Sequence, residues 1–351
     1  MSRSRAAARA AAILIAAATL GPSLAAAGTF PYRVLHRISL RAADTVPAVA
    51  FGPGGKHFYA AAGEALRSYD AVSAQPGPVM KLPGAASAIA ASTRDGGVLY
   101  VATRAPARLL IVTVDPLRVR SSVGLRGGEP SALLYDDAAD ALYVESQAGR
   151  AVTRLDPKTG GSLGTLRLTG RPTQMAGNGR GTLYVADAAG DDLEVIAGAT
   201  MKRLGAIPLS RCTAPTGLAA DAVGRRLFVA CGNGVALVVD EEMGFAFERL
   251  PIERASDLRL VFALHPLGAG GWKGGAFMAG DGPALDAIQM KAFISYADGG
   301  SLPLDGRCTA LAVSAAARRL VLALAPRMGA AADQDAQPQL VLLGANEGVS
   351  Q

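Results

Sequence analysis

A short apolar segment with an aromatic residue near its centre recurs along the chain at almost constant spacing. Clear copies include Leu99-Tyr100-Val101, Leu142-Tyr143-Val144 and Leu183-Tyr184-Val185. With one marker per copy, successive spacings are 41, 43, 41, 44, 49 and 44 residues, and the markers are Tyr59, Tyr100, Tyr143, Tyr184, Phe228, Phe277 and Val321. A period of this length indicates one supersecondary unit per copy, which buries its apolar faces against neighbouring copies.

Each copy contains four short strand patterns. In the third copy, a strand pattern at 130–135 and a turn at 136–140 precede the marker, and a third strand follows that ends in Leu155-Asp156. A fourth, alternating pattern covers 164–169. Four strands per period, with almost no helical periodicity, predict an all-β, seven-bladed β-propeller built from four-stranded antiparallel blades.

The two ends of the chain indicate how the ring closes. The pattern at 32–40 is a strand without a blade of its own, while the seventh copy stops after its third strand, at 339–343. An open ring would expose strand edges on its first and last blades. We therefore expect the N-terminal strand to complete the last blade as its outer strand.

The first 27 residues have the order of a secretory signal peptide. Arg3, Arg5 and Arg9 precede an apolar run at 10–20, and small residues follow at 25–27. The run holds about a dozen apolar residues, whereas a membrane span needs about 20. We expect cleavage after Ala27, a single propeller domain over residues 28–351, no membrane span after cleavage, and a periplasmic or secreted protein.

Charge and motifs exclude several function classes. Removal of the three leader arginines lowers the formal charge from +6 to +3, and the remaining basic residues form no block interleaved with aromatics. Nucleic acid is therefore not an expected partner. The chain has no nucleophile elbow, phosphate-binding loop or HExxH motif. We expect no cofactor, no metal and a monomeric protein.

The repeat resembles a known family. The copy that begins at Leu155-Asp156-Pro157 and reaches Tyr184-Val185-Ala186-Asp187 is similar to the repeat of the bacterial YVTN-type seven-bladed β-propellers, whose second strand carries Tyr-Val-Thr-Asn. The resemblance covers essentially all of residues 28–351, although the fourth motif residue is never Asn in this chain. It implies the fold but selects no function, because the family includes surface and periplasmic proteins, cofactor-enzyme subunits and lactonase-like hydrolases.

Candidate ligand-binding residues lie in the links between blades. The tetrapeptide Arg-Cys-Thr-Ala occurs at 211–214 and at 307–310, and we expect the two copies at equivalent positions two blades apart. Arg211 and Arg307, together with Arg171 and near Glu129, could bind a carboxylate or phosphate, since guanidinium groups present paired donors. Alternatively, each arginine pairs with a neighbouring acid and fixes its loop.

Three carboxylates and two cysteines complete the candidates. Glu145, Asp187 and Asp281 end second strands, where a hydrolase would place a general base or calcium ligands, although such acids are also commonly solvated or paired with arginine. Cys212 and Cys231 fall in one blade and are the disulfide candidate, with a bridge from Cys212 to Cys308 as the alternative.

These features predict an exported, non-catalytic binding or scaffold propeller that engages a small anionic ligand or a partner protein at the channel mouth. The alternative is a lactonase-like hydrolase that uses Glu145, Asp187 or Asp281 on the same face.

Overall fold

The computed structural model describes residues 30–92, 94, 97–250, 259–264, 274–292, 295–327 and 337–346. The predicted signal peptide, residues 1–27, lies outside the described residues. Within the described ranges, no helix has the length and apolar character that crossing a membrane requires.

In the described ranges, 28 strands form seven sheets, which are numbered here as blades in chain order. The N-terminal strand is β1 (Tyr32–Ser39). Blade 1 comprises β2 (Ala48–Phe51), β3 (His57–Ala62), β4 (Ala65–Asp70) and β5 (Pro76–Lys81). Blade 2 comprises β6 (Ala86–Ser92), β7 (Val98–Thr103), β8 (Arg108–Val114) and β9 (Leu117–Gly124). Blade 3 comprises β10 (Ala132–Asp136), β11 (Ala141–Ser146), β12 (Ala151–Leu155) and β13 (Ser162–Arg167). Blades 4 and 5 comprise β14 (Pro172–Gly177), β15 (Thr182–Asp187), β16 (Asp192–Ala197) and β17 (Lys202–Pro208); and β18 (Pro215–Asp221), β19 (Arg226–Cys231), β20 (Ala236–Asp240) and β21 (Phe245–Arg249). Blade 6 comprises β22 (Arg259–Leu264), β23 (Gly274–Ala279), β24 (Ala284–Ala292) and β25 (Ser295–Pro303), and blade 7 contains β26 (Arg307–Ser314), β27 (Arg319–Ala325) and β28 (Gln339–Ala345).

The predicted fold and ring closure are confirmed. Every sheet has four antiparallel strands, and in six of them the order follows the chain. In blade 7, β1 pairs with β28 as the outer strand, with Tyr32 opposite Ala345 and Ser39 opposite Gln339. The two ends of the chain therefore share one sheet, which removes the open edge that an incomplete last blade would expose.

The second strand of a blade is buried on both of its sides. All six residues of β7 are buried, whereas the outer strand β13 has no fully buried residue. Blades pack face to face, so an inner strand meets a neighbouring blade on each side and consists of a continuous apolar run. This packing explains why the second strand shows the repeat most clearly in the sequence.

Each marker residue packs toward the following blade. The described residues form seven clusters of buried apolar side chains, and each cluster lies between two adjacent blades. Tyr100 belongs to the cluster between blades 2 and 3, and Phe277 to the cluster between blades 6 and 7. Val321 belongs to the cluster that closes the ring between blades 7 and 1. The seven-fold sequence period is thus the period of these interfaces.

A hydroxyl group fixes the start of the first strand in several blades. A bulge interrupts the pairing of first and second strands at Ser87, Thr173, Thr216 and Thr309. At each bulge the side chain donates a hydrogen bond to a carbonyl of the second strand, at 3.3 to 3.4 Å. The Thr173 hydroxyl also lies 2.7 Å from Pro215 O, and the Thr309 hydroxyl lies 2.8 Å from Val46 O. Each single proton is thus shared between two carbonyls, and the shorter contact ties the blade to the next one.

Candidate functional site

Two sets of links meet at one end of the ring, here called the upper face. They are the links from a fourth strand to the next first strand and the links from a second to a third strand. Ala188 N donates to Arg171 O at 3.0 Å, Gly232 N donates to Ala214 O at 2.9 Å, and Ala214 N donates to the Asp191 carboxylate at 2.7 Å. The other turns form the lower face. Candidate residues in both sets of upper links therefore surround the same end of the channel.

The duplicated tetrapeptide does not occupy equivalent positions, which corrects our expectation. Pro215 pairs with Cys231 just before the bulge at Thr216, while Cys308 pairs with Leu324 just before the bulge at Thr309. The first copy therefore ends before its strand begins, whereas the second copy starts inside its strand. Sequence identity gave the wrong register because the bulge, rather than the tetrapeptide, fixes where each blade begins.

The three candidate arginines consequently do not form one compact cluster. Arg171 directly precedes Pro172, so it is equivalent to Arg307, three blades away around the ring. Arg307 Nη1 lies 3.9 Å from Asp281 Oδ1, a loose ion pair between partly exposed groups. Arg211 is exposed in its link with a φ of 71°, and its carbonyl accepts a hydrogen bond from Asn233 Nδ2 at 3.0 Å.

A wider group of arginines occupies the upper face of blades 2 to 5. These exposed side chains have no hydrogen-bond or ion-pair partner among the described residues, and we call them the arginine arc: Arg104, Arg126, Arg150, Arg171 and Arg211. Glu129 is an exposed carboxylate within the arc. Sequence reasoning selected two of the five arginines, because only placement in neighbouring links reveals the others as a group.

Blade 1 shows the contrasting arrangement. There the buried Asp44 accepts hydrogen bonds from Arg41 and forms a 3.0 Å ion pair with Arg67, so the charges of that link are matched. These contacts hold the pKa of the Asp44 carboxyl below its usual value, despite opposing desolvation. The arginine arc lacks such internal partners and therefore presents uncompensated positive charge to solvent.

A disulfide joins Cys212 and Cys231 beside this arc. Their Cα atoms are 5.3 Å apart, and the bond connects the link that carries Arg211 to the end of β19. Cys308 is a buried thiol in blade 7. The bridge limits how far the Arg211 link can move relative to blade 5.

The three candidate carboxylates do not converge. Asp187 in blade 4 is buried, and its Oδ1 accepts hydrogen bonds from Arg171 N at 2.7 Å and Ala189 N at 2.8 Å. Asp281 lies half-exposed in blade 6, beside Arg307. Glu145 is buried in blade 3. Among the described residues, no group of three histidine, cysteine or carboxylate side chains is arranged to hold a metal ion.

Glu145 is nevertheless unusual within the repeat. It stands two residues after its marker, where the other blades carry buried alanines: Ala61, Ala102, Ala186, Ala230, Ala279 and Ala323. Glu145 Oε1 accepts a hydrogen bond from Ser131 Oγ at 2.9 Å, while the buried Oε2 has no partner. Burial raises the pKa of Glu145 to about 7, although the Ser131 bond lowers it. Alignment of the seven copies would have shown this substitution from sequence alone.

The channel below the upper face is lined almost entirely by uncharged residues, and the one charged residue in its described lining, Asp137, is an acid. A cavity of about 660 Å³ is lined by first strands, with small or apolar side chains such as Val49, Ala90, Leu134, Ala176 and Ala219. An anion gains no positively charged partner from these walls. An anionic ligand at this end of the channel would therefore be held at the rim by the links.

Comparisons with known proteins show the fold. No protein-family model and no curated protein sequence matches this chain. The crystal structure of the RRP9 WD40 repeats superposes with a TM-score of 0.71 and 13% sequence identity, over 91% of this chain and 99% of that one. The structure of U3-55K gives a TM-score of 0.69 and 13% identity, over 90% of this chain and 98% of that one. At this identity the likeness establishes the seven-bladed propeller architecture of the chain.

Proposed function

We propose that this chain is an exported, non-catalytic propeller scaffold that binds a small anionic ligand or an acidic partner protein through its upper face. The observation that carries the proposal is the arginine arc. Arginines whose charges are matched within the fold serve its stability, as in the link that holds Asp44. Those of the arc are unmatched and face solvent, as residues that recognise carboxylates or phosphates do.

Within this site, Arg171 and Arg211 provide the central contacts. Each occupies a link between blades, and their backbone positions are held by Asp187 and by the disulfide respectively. Arg307 contributes less, since Asp281 lies beside it. Glu129, which is exposed on the same rim, gives the ligand one place for a cationic group beside its anionic groups.

Export to the periplasm or beyond is part of the same proposal. The order of charges and apolar residues in 1–27 supports a cleaved leader. The Cys212–Cys231 bridge supports an oxidising compartment, where disulfides persist. We propose a monomer, because the ring closes within one chain, with β1 completing the last blade.

Binding of poly-L-glutamate and of inorganic phosphate at low ionic strength tests the site. Replacement of Arg150, Arg171 and Arg211 by Gln should weaken binding by about threefold to 100-fold, because exposed ion pairs contribute about 0.2 to 1 kcal/mol each. The matched control replaces three exposed lower-face cations, Lys56, Arg118 and Lys202, by Gln. Equal weakening by both triple variants would reject the upper-face assignment in favour of net charge alone.

Glu145 supports the alternative function, a lactonase-like hydrolase. A carboxyl with a pKa near 7 suits general acid or base catalysis. The alternative predicts turnover of a lactone that Glu145→Gln abolishes and that Asp187→Asn or Asp281→Asn reduces. A panel of lactones that shows no turnover by the purified protein, with and without Ca²⁺, would exclude it.

A further inference from the structure

A second cavity lies on the lower face, in the gap between blades 2 and 3. Its volume is about 290 Å³, and it is lined by Ser92, Arg94, Val98, Tyr100, Arg120, Tyr135, Asp140, Pro157 and Lys158. Three of these residues are cations and one is an acid. Asp140 already accepts a hydrogen bond from Tyr135 Oη at 2.7 Å. The cavity therefore carries a surplus of positive charge that its own residues do not match.

The gap between blades 4 and 5 provides an internal comparison. Arg180 there corresponds to Arg94. The backbone N of Arg180 donates a hydrogen bond to the Asn178 side chain, and its guanidinium donates to Ala222 O. In the same way, the backbone N of Arg94 donates to the Ser92 side chain, and its guanidinium donates to Asp137 O. The two arginines therefore begin from the same turn and cross to the same point of the next blade.

The difference between the two gaps is one carboxylate. In the gap between blades 4 and 5, Glu241 forms a 2.6 Å ion pair with Arg180, accepts a hydrogen bond from Asn178 and lies beside the Tyr184 phenol. Glu241 directly follows Asp240, whose carboxylate accepts backbone bonds within the turn between the third and fourth strands. That gap is filled and its charge is matched.

Proline occupies the corresponding position between blades 2 and 3. Asp156 accepts the same backbone bonds as Asp240, so Pro157 is equivalent to Glu241 and Lys158 to Glu242. Without the carboxylate, Tyr100 Oη donates to Pro157 O at 3.1 Å, and no described carboxylate pairs with Arg94. Lys158 and Arg120 add two further cations. Arg94 and Tyr100 retain two donors of the filled gap, Ser92 replaces the third donor, Asn178, and the carboxylate acceptor is missing.

We propose that this gap is a binding site for a small organic anion, a carboxylate or a phosphate ester, whose charged group takes the place that Glu241 fills between blades 4 and 5. Arg94 and Arg120 present guanidinium donors, and Lys158 supplies a point charge at the rim. Tyr135 forms an apolar wall where the other blades with described side chains carry Gly, Ala, Val or Phe, and its ring lies 5.3 Å from that of Tyr100. The volume is near the lower limit for small-molecule sites, which fits a ligand with one ring.

Four probes test the site in the intact chain: benzoate, phenyl phosphate, acetate and inorganic phosphate, with neutral benzamide as the comparison. By calorimetry or ligand-observed NMR, benzoate or phenyl phosphate should bind saturably with a Kd of ~1 mM or below. The anions without a ring should bind more weakly, and benzamide should not bind. Absence of saturable binding by all four anions would overturn the proposal.

The decisive variant is Pro157→Glu, which supplies the missing carboxylate from the protein itself. It should raise Tm and weaken anion binding about tenfold or more, since the new side chain competes for Arg94. Pro157→Gln is the matched control and should bind within about twofold of the parent. Equal affinities of the Glu and Gln variants would overturn the assignment. Lys202→Gln, at an exposed lower-face cation that does not line the cavity, should leave this binding unchanged, so a loss confined to Pro157→Glu is assigned to the cavity.

Discussion

The Ser131 hydroxyl donates a 2.9 Å hydrogen bond to Oε1 of Glu145, and it is the one described partner of a carboxyl whose other oxygen is buried without one. Six blades carry alanine where blade 3 carries Glu145. Ionisation of a buried carboxyl lowers the stability of the folded state when one of its two oxygens accepts no hydrogen bond. The group should therefore control how the stability of the ring depends on pH.

We expect the protein to lose stability as the pH rises from about 5 to 8. Burial raises the pKa of Glu145 from 4.5 to about 7, so the folded state holds a proton that the unfolded state has released. The resulting stability is complete below pH 4.5 and is lost as the pH passes 7, a change of about 3 kcal/mol in unfolding free energy. Urea denaturation at pH 5 and pH 8 measures it. Glu145→Gln should reduce the difference between the two pH values, and an unchanged difference would contradict this explanation.

Ring closure by the N-terminal strand predicts that its loss destabilises all seven blades together. Besides its pairing with β28, the strand places the buried Tyr32 ring edge-on against Phe277 of blade 6, with ring centroids 5.2 Å apart. Deletion of residues 28–41 should lower Tm in a single transition or prevent folding. Tyr32→Ala provides a milder test and should cost about 3 to 5 kcal/mol. An unchanged Tm in both variants would show that the ring closes without this strand.

The threonine bridge across the closing interface gives a finer test. Thr309 Oγ1 donates to Val46 O at 2.8 Å, from blade 7 to the link that enters blade 1. Thr309→Val should reduce the free energy of unfolding by about 1 to 2 kcal/mol, because it leaves a carbonyl without its donor. Thr216→Val is the control, since that hydroxyl makes a 3.4 Å bond within its own blade. A similar loss in both variants would assign the effect to the bulge and not to the bridge between blades.

The disulfide predicts a stability that depends on reducing agent. The Cys212–Cys231 bridge closes a segment with a sequence separation of 19 residues, for which chain entropy gives about 3 kcal/mol. Dithiothreitol should lower Tm of the parent protein. It should leave the double variant Cys212→Ala/Cys231→Ala unchanged, since Cys308 is an unbridged, buried thiol. A double variant that still responds to dithiothreitol would place the bridge elsewhere.

The fold was predictable from sequence because the physical cause of the period acts on every blade. Each marker, such as Tyr143, packs in an interface between two blades, and no single blade can bury this surface alone. The same apolar residues are therefore required in all seven copies of the repeat. The candidate site was less predictable, because the position of each side chain depends on how the first and second strands of its blade pair. Arg307 lies two residues before the bulge of its blade and Arg211 five residues before the equivalent bulge, and the identical tetrapeptides do not encode that difference. Whether an arginine has an ion-pair partner likewise depends on residues of the next blade. Arg180 has a carboxylate partner and Arg94 has none among the described residues, although the two arginines lie in similar turns.

Glu241 should stabilise the ring far more than the adjacent Glu242. Glu241 is mostly buried and bonded to both Asn178 and Arg180, whereas Glu242 pairs with Arg225 on the exposed surface. Glu241→Gln should lower the unfolding free energy by about 2 kcal/mol, because the mostly buried carboxylate loses its charge-assisted hydrogen bonds to Asn178 and to the half-exposed Arg180. Glu242→Gln should change it by less than about 0.5 kcal/mol, since exposed pairs contribute little. Thermal and urea unfolding of the two variants gives the comparison. Equal effects would mean that the carboxylate between blades 4 and 5 contributes no more than a surface charge, and would remove the basis for expecting an anion in the matching gap between blades 2 and 3.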